Sequence, residues 1–224
     1  EIKKALALIL ATSIGPDGGI NPSKDIEQSD VCINGMFLNY GCYFGTDEEK
    51  LRSVVDFIVS QQLADGGFNC RLNRSGARHS SMHSTISVLE GIREYIAAGY
   101  AFRAEELNRI EGEAQEFLLR HRLFKSDHTG AVIHPSFLKL VYPPRWRYDI
   151  LRALDYFQSV GYPYDERLQD ALDILKEKRL SDGRWKTQAH HPGEVHFQME
   201  QAGKPSRWST LRCLRVLEYY DRDA

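Results

Sequence analysis

The sequence has almost no net charge, few cysteines and no long apolar run, and each shortage excludes a class of protein. Its 29 lysines and arginines nearly balance 31 aspartates and glutamates, for a formal charge of -2 over 224 residues. A chain with no basic excess has no broad electrostatic hold on nucleic acid or an anionic membrane surface. The four cysteines, Cys32, Cys42, Cys70 and Cys213, form no CxxC pair and are too sparse for a secreted disulfide scaffold. Reduced thiols and a cytoplasmic location are therefore expected. No apolar stretch approaches the about 20 residues that span a bilayer, so no membrane span is expected. The opening EIKKALALILATSIG begins with Glu1 and runs into a turn that recurs later, which makes it a first helix rather than a leader. The missing initiator Met implies that the sequence begins inside a longer chain.

What is present suits a globular protein: 42% of residues are hydrophobic and 27% charged. Area scaling leaves roughly 10,000 Å² exposed of roughly 37,000 Å² in the extended chain, so a core forms without disulfide or metal staples. A metal, if bound, then serves chemistry. The expected organisation is one domain over 1–224 with no flexible linker.

An internal repeat orders the chain. GPDGGI ends at Ile20, ADGGF at Phe68 and SDGRW at Trp185, with a degenerate copy, SDHTGAVI, ending at Ile133. The marker residues Asp17, Asp65, Asp127 and Asp182 recur at intervals of about 50 to 60 residues, the length of a helical hairpin with a long loop. Before each turn lies an amphipathic stretch, as in Leu51, Val54, Val55 and Ile58 or Leu168, Ala171, Leu172 and Leu175. After each polar loop comes a stretch that is apolar on most sides, as in 31–44 and 148–157. Eight helices are predicted, near 1–13, 30–44, 47–63, 81–97, 104–122, 146–160, 165–179 and 206–220, with a Thr46–Glu49 capping box opening the third. Alternating half-buried and buried helices describe two concentric layers. The predicted fold is all-α, an α/α toroid or small partial α–α barrel of helical hairpins, with the Asp-Gly pairs in turns that need a positive backbone angle.

In such a ring the inner helices begin at one end. The segments that reach the mouth are SDVC (29–32), SSMHST (80–85), RWRYDI (145–150) and SRWST (206–210). The first two place Asp30, Cys32 and His83 at equivalent points of neighbouring hairpins. A carboxylate, a thiolate and an imidazole there suit Zn²⁺ with its fourth tetrahedral position open. Ordinary roles compete: a buried cysteine for Cys32, a surface histidine for His83. Asp149 and Asp155 either line the cavity or form structural ion pairs. His190, His191 and His196 sit in a Gly- and Pro-containing loop and read as exposed. Phe37, Tyr40, Trp146, Tyr148 and Trp208 either line an apolar lumen or belong to the core.

The stretch DVCINGMFLNYGCYFGTDEEKLRSVVDFIVSQQLADGGFNC (30–70), followed by HSSMHSTISVLEGI (79–92), resembles the β subunits of zinc-dependent protein prenyltransferases, most of all the Rab geranylgeranyltransferase type. The turns elsewhere resemble the wider family that includes the squalene and oxidosqualene cyclases. The resemblance implies catalytic zinc on Asp30, Cys32 and His83, a partner subunit, and transfer of an isoprenoid from an allylic diphosphate to a thiol. The family pattern has Tyr after the zinc Cys, and Arg and Lys before the Asp. Here Ile33 follows Cys32, and Lys24 alone lies in the preceding loop. Substitute cations for a diphosphate are Arg71, Arg74, Arg78 and His79, with Arg145, Arg147 and Arg207 opening other inner helices; planar guanidinium groups pair well with phosphate oxygens. Two alternatives stay open: a toroid that binds an apolar molecule or a protein without catalysis, and a terpenoid cyclase-like enzyme. The second lacks the DxDD or DDxxD that alkene protonation or magnesium-diphosphate binding would require.

Overall fold

The computed structural model describes residues 1–23, 26–70, 75–189 and 191–221. Among them are eight α-helices: α1 (Ile2–Thr12), α2 (Val31–Tyr43), α3 (Glu48–Ser60), α4 (Met82–Ala97), α5 (Ala104–Arg120), α6 (Ile150–Ser159), α7 (Gln169–Glu177) and α8 (Arg207–Asp221). Two short 3₁₀ turns, Pro135–Leu138 and Glu166–Leu168, and a two-residue antiparallel pairing of Trp185–Lys186 with Pro205–Ser206 complete the regular structure. The protein is mostly helical, as the periodicity predicts. The chain forms two compact units, Glu1–Phe117 and Leu118–Ala224.

In the first unit, α3 buries one stripe, Leu51, Val54, Val55, Phe57 and Ile58, and turns its charged face to water. By contrast α2 and α4 are buried on most sides, and among the described residues they form the most extensively packed helix pair. Their backbones touch. A Cβ on Gly35 would lie 2.5 Å from the Ser87 carbonyl oxygen, and one on Gly91 would lie 2.4 Å from that of Gly35. One turn on, the Asn39 side-chain amide donates to the Glu90 carbonyl at 3.0 Å. Contacts that advance in step along both helices mean that α2 and α4 run parallel, with their N-termini at the same end.

The repeated turn is what sets that end. In each copy the glycine after the Asp has positive φ, +82° at Gly18, +94° at Gly66 and +83° at Gly183, a region that L side chains rarely enter. The following large residue, Ile20, Phe68 or Trp185, is buried to 2% exposure or less. Its N–H is taken by a polar side chain from the first turn of the next inner helix: Asn34 at 2.6 Å, Thr85 at 3.0 Å and Thr210 at 3.0 Å. The turn Asp hooks the same helix. Asp17 accepts from the N–H and hydroxyl of Ser29 at 2.8 and 2.7 Å, and Asp65 accepts from those of Ser80 at 2.8 and 2.5 Å. In the second unit Asp182 instead holds Arg184, and Glu200 accepts from the Ser206 hydroxyl and the Arg207 N–H.

Two sequence expectations need correction. The Thr46–Glu49 capping box does not form, because α3 begins at Glu48 after Asp47 with no side-chain cap. Glu49 pairs with Arg52 at 2.9 Å, and Thr46 is engaged through its backbone, to the Gly41 carbonyl and the Tyr100 hydroxyl. Glu48 reaches instead to the loop after α4, accepting from the N–H groups of Ala101 and Phe102, and the Phe102 bond foremost lowers its carboxyl pKa. The SDHTGAVI copy keeps the tight turn, bridged by Lys125 and Val132, but its Asp127 faces His121 at 3.8 Å; the next inner helix is capped by Asp149, which accepts from the Arg152 N–H at 2.8 Å.

The second unit repeats the packing scheme with α6 and α8. Asp155 pairs with Arg212 at 2.9 Å and with Arg215, and the Tyr219 hydroxyl lies 3.9 Å from where a Cβ on Gly161 would be, so these helices also run parallel. Gly112, in the exposed middle of α5, has no atom within 4 Å of an added Cβ and no positive φ. Gly112→Ala is expected to stabilise the protein by about 1 kcal/mol through helix propensity. Urea titration reads this as a higher midpoint at unchanged slope.

Candidate functional site at the paired helix ends

Because α2 and α4 are parallel and in contact, Asp30, Cys32 and His83 are all carried on two adjoining helix starts. Asp30 is the N-cap residue of α2, and Cys32 and His83 are second residues of α2 and α4. All three are half-buried. Beside Cys32 stands a sulfur that spacing alone did not single out. Cys70 lies two residues past Phe68, and the pinning of Phe68 to Thr85 draws it back to the start of α4, where its N–H donates to the Ser84 hydroxyl at 3.2 Å. The Cys70 sulfur in turn accepts from the Cys32 N–H at 3.3 Å and the Ser84 hydroxyl at 3.3 Å.

The two thiols titrate as a pair, and the donors decide which holds the charge. Hydrogen bonding from the Cys32 side chain, aided by the Ser84 hydroxyl and the Cys32 N–H, outweighs burial and lowers Cys70 to about 7. Cys32 is pushed up by its bond to Cys70, by burial, and by the negative charges of Cys70 and Asp30. Elsewhere burial leads: with the charge of Glu94 it raises Cys42 to about 12, and it drives Cys213 up against the pull of Arg212. A signal for Cys70 was present in the sequence, since any residue just past a DGGF turn returns to the mouth of the next helix; a search for local CxxC spacing does not see it.

Thiols, a carboxylate and an imidazole are the donor types Zn²⁺ takes, so the set fits that ion in its donor chemistry. The two thiols as they stand are engaged with each other, and the Cys70 sulfur also with the Ser84 hydroxyl. Among the described residues no group of three or more His, Cys, Asp or Glu surrounds a point where a metal ion would sit.

Of the expected diphosphate ligands, Arg78 and His79 are exposed on the loop before α4, while Lys24, Arg71 and Arg74 lie outside the described residues, as does His190. Phe37 is buried in the α2 core at 5% exposure, and Tyr40 is exposed. In the second unit Tyr148 is buried, its hydroxyl donates to the Leu123 carbonyl at 2.5 Å, and its ring meets Phe137 edge-on. Trp146 and Trp208 are partly exposed, the first under the Arg147 guanidinium and the second stacked on Tyr142. Asp149 is buried, which raises its carboxyl against the pull of Arg212. Asp155 forms the ion pairs already described. His196 is exposed and His191 half-buried beside a cleft of about 560 Å³ that Tyr142, Arg145, Phe197 and Met199 also line. Among the described residues no helix is long and apolar enough to cross a membrane. No protein-family model matches the chain, and no curated protein sequence matches it.

Proposed function

We propose that the protein is a prenyltransferase-like α/α toroid of the cytoplasm, related to the zinc-dependent protein prenyltransferases and terpenoid cyclases, that transfers an isoprenoid from an allylic diphosphate to a thiol acceptor. The observation that carries the reading is the parallel contact of α2 and α4, which sets Asp30, Cys32 and His83 on adjoining helix starts. A zinc ion, if bound there, would supply Lewis acidity that favours the thiolate of an acceptor thiol, a strong nucleophile at neutral pH. Asp30, Cys32 and His83 are the residues that would hold it. Arg78 and His79, on the loop that leads into α4, are the described cations for a departing diphosphate, with Lys24, Arg71 and Arg74 as further candidates. A partner subunit belongs to this reading. The hydrogen-bonded state of the thiols favours a second one, a toroid that binds an apolar molecule or a protein without catalysis.

Two measurements separate them. Elemental analysis of protein purified without chelators is expected to find zinc, most of it lost in Cys32→Ala and His83→Ala; a zinc-free protein supports the second reading. Titration calorimetry with farnesyl and geranylgeranyl diphosphate is expected to show binding that Arg78→Glu weakens far more than binding of the matching alcohols, because only the diphosphate carries the anion a guanidinium pairs with. Equal affinity for diphosphate and alcohol would remove prenyl transfer.

A further inference from the structure

We propose that Cys32 and Cys70 form a redox-active dithiol that closes reversibly to a disulfide by exchange with a low-molecular-weight disulfide. The proposal stands on placement. The two residues come from different segments, the first turn of α2 and the loop that precedes α4, and the folding of the DGGF turn brings one sulfur to 3.3 Å from the other cysteine's backbone nitrogen. Both residues are half-buried, so a small disulfide reaches them, whereas Cys42 and Cys213 are buried at 5% and 0% exposure. The loop that carries Cys70 is tied to α4 through Phe68 and Ser84, and the start of α2 is fixed against α4 by the Gly35 contact. Both segments are thus held by the fold with the Cys70 sulfur beside the first turn of α2. Two hydrogen-bond donors, the Cys32 N–H and the Ser84 hydroxyl, hold the Cys70 sulfur in place beside Cys32.

The exchange runs in two displacements. The Cys70 thiolate attacks one sulfur of the small disulfide and expels a thiolate, which takes up a proton. The Cys32 thiol gives its proton to water and attacks the Cys70 sulfur of the mixed disulfide, expelling the second small thiolate. Two electrons pass from the cysteine pair to the small disulfide, which leaves as two thiols. The bond formed would take Cys32 out of the donor set proposed for zinc, so that oxidation and metal binding exclude each other; only this last consequence rests on the zinc reading.

The test uses the whole reduced protein at neutral pH in glutathione mixtures of rising oxidised fraction, with and without zinc. Samples are quenched in acid, the remaining thiols are alkylated, and intact mass and peptide maps are recorded. The expected product is lighter than the reduced chain by two hydrogen atoms, joins the Cys32 and Cys70 peptides, and leaves Cys42 and Cys213 alkylated. Cys70→Ser, its helical circular dichroism matched to the parent, should give no such product. All four thiols remaining alkylated at the highest oxidised fraction, or a glutathione adduct on Cys70 that never resolves, would overturn the proposal. If the link forms equally fast with zinc present, the dithiol stands and the metal reading falls; if zinc slows it, both are supported.

Discussion

Gly35→Ala is expected to lower the stability of the protein by about 3 kcal/mol, the upper end for forcing an extra carbon into a packed interior. The new Cβ would lie 2.5 Å from the Ser87 carbonyl oxygen, 2.7 Å from the Ser87 carbonyl carbon and 2.7 Å from the Val88 Cα. All three are backbone atoms of α4, so no side-chain rotation relieves the clash and the helices must separate. Separation strips contact from neighbours that are fully buried, including Leu38, Ile86, Val88 and Leu89. Gly91→Ala attacks the same contact from the other helix, 2.4 Å from the Gly35 carbonyl oxygen, and should cost a similar amount. The two together should cost less than their sum, since one separation accommodates both. Urea unfolding of the two single variants and the double variant measures this. A Gly35→Ala midpoint equal to that of the parent would show that α2 and α4 do not meet at this point.

In metal-free protein Cys70 should be the one cysteine that iodoacetamide modifies quickly, with a rate that rises through a midpoint near pH 7. The sign follows from the chemistry: the thiolate is the nucleophile, Cys70 is lowered to about 7 from the ordinary 9.0 by hydrogen bonds to its sulfur, and its thiolate therefore grows as pH rises through 7 and levels off above. Cys42, raised to about 12 by burial, would hold roughly a hundred-thousandth of its thiol as thiolate at pH 7. Peptide mapping after brief alkylation between pH 5 and 9 should find the label on Cys70 and almost none on Cys42 or Cys213. Ser84→Ala should move the midpoint upward by removing one donor. Uniform labelling with midpoints near the ordinary value would show that the Cys32 and Ser84 donors do not hold the sulfur.

The helices were legible because their signals are local or periodic. Leu51, Val54, Val55 and Ile58 mark the buried stripe of α3 without knowledge of what covers it, and the three well-kept turns announce the start of the next helix. Fine contacts were not legible. Gly35 and Gly91 look like helix-weakening residues in a sequence, and only the approach of a second backbone explains them. Thr46 and Glu49 have the spacing of a cap, but Arg52 takes the Glu49 carboxylate and the Gly41 carbonyl takes the Thr46 N–H that would form it. At the candidate site, the adjoining starts of α2 and α4 followed from the repeat, whereas the contact of Cys32 with Cys70 depends on a loop whose far end is pinned by Phe68, a tertiary event that neither spacing nor composition records.

The carboxylate hooks have a further consequence. Asp17 holds Ser29, and Asp65 holds Ser80, so each loop is cinched at both ends by the same few atoms although one hook spans 12 residues and the other 15. A closed loop pays only slowly for added length. Insertions between a turn Asp and its Ser therefore leave the helix frame in register while changing what overhangs the helix mouth. The architecture separates a part that must be conserved in geometry from a part free to vary in length, and relatives of this chain would be expected to differ most in the segments between the hook residues.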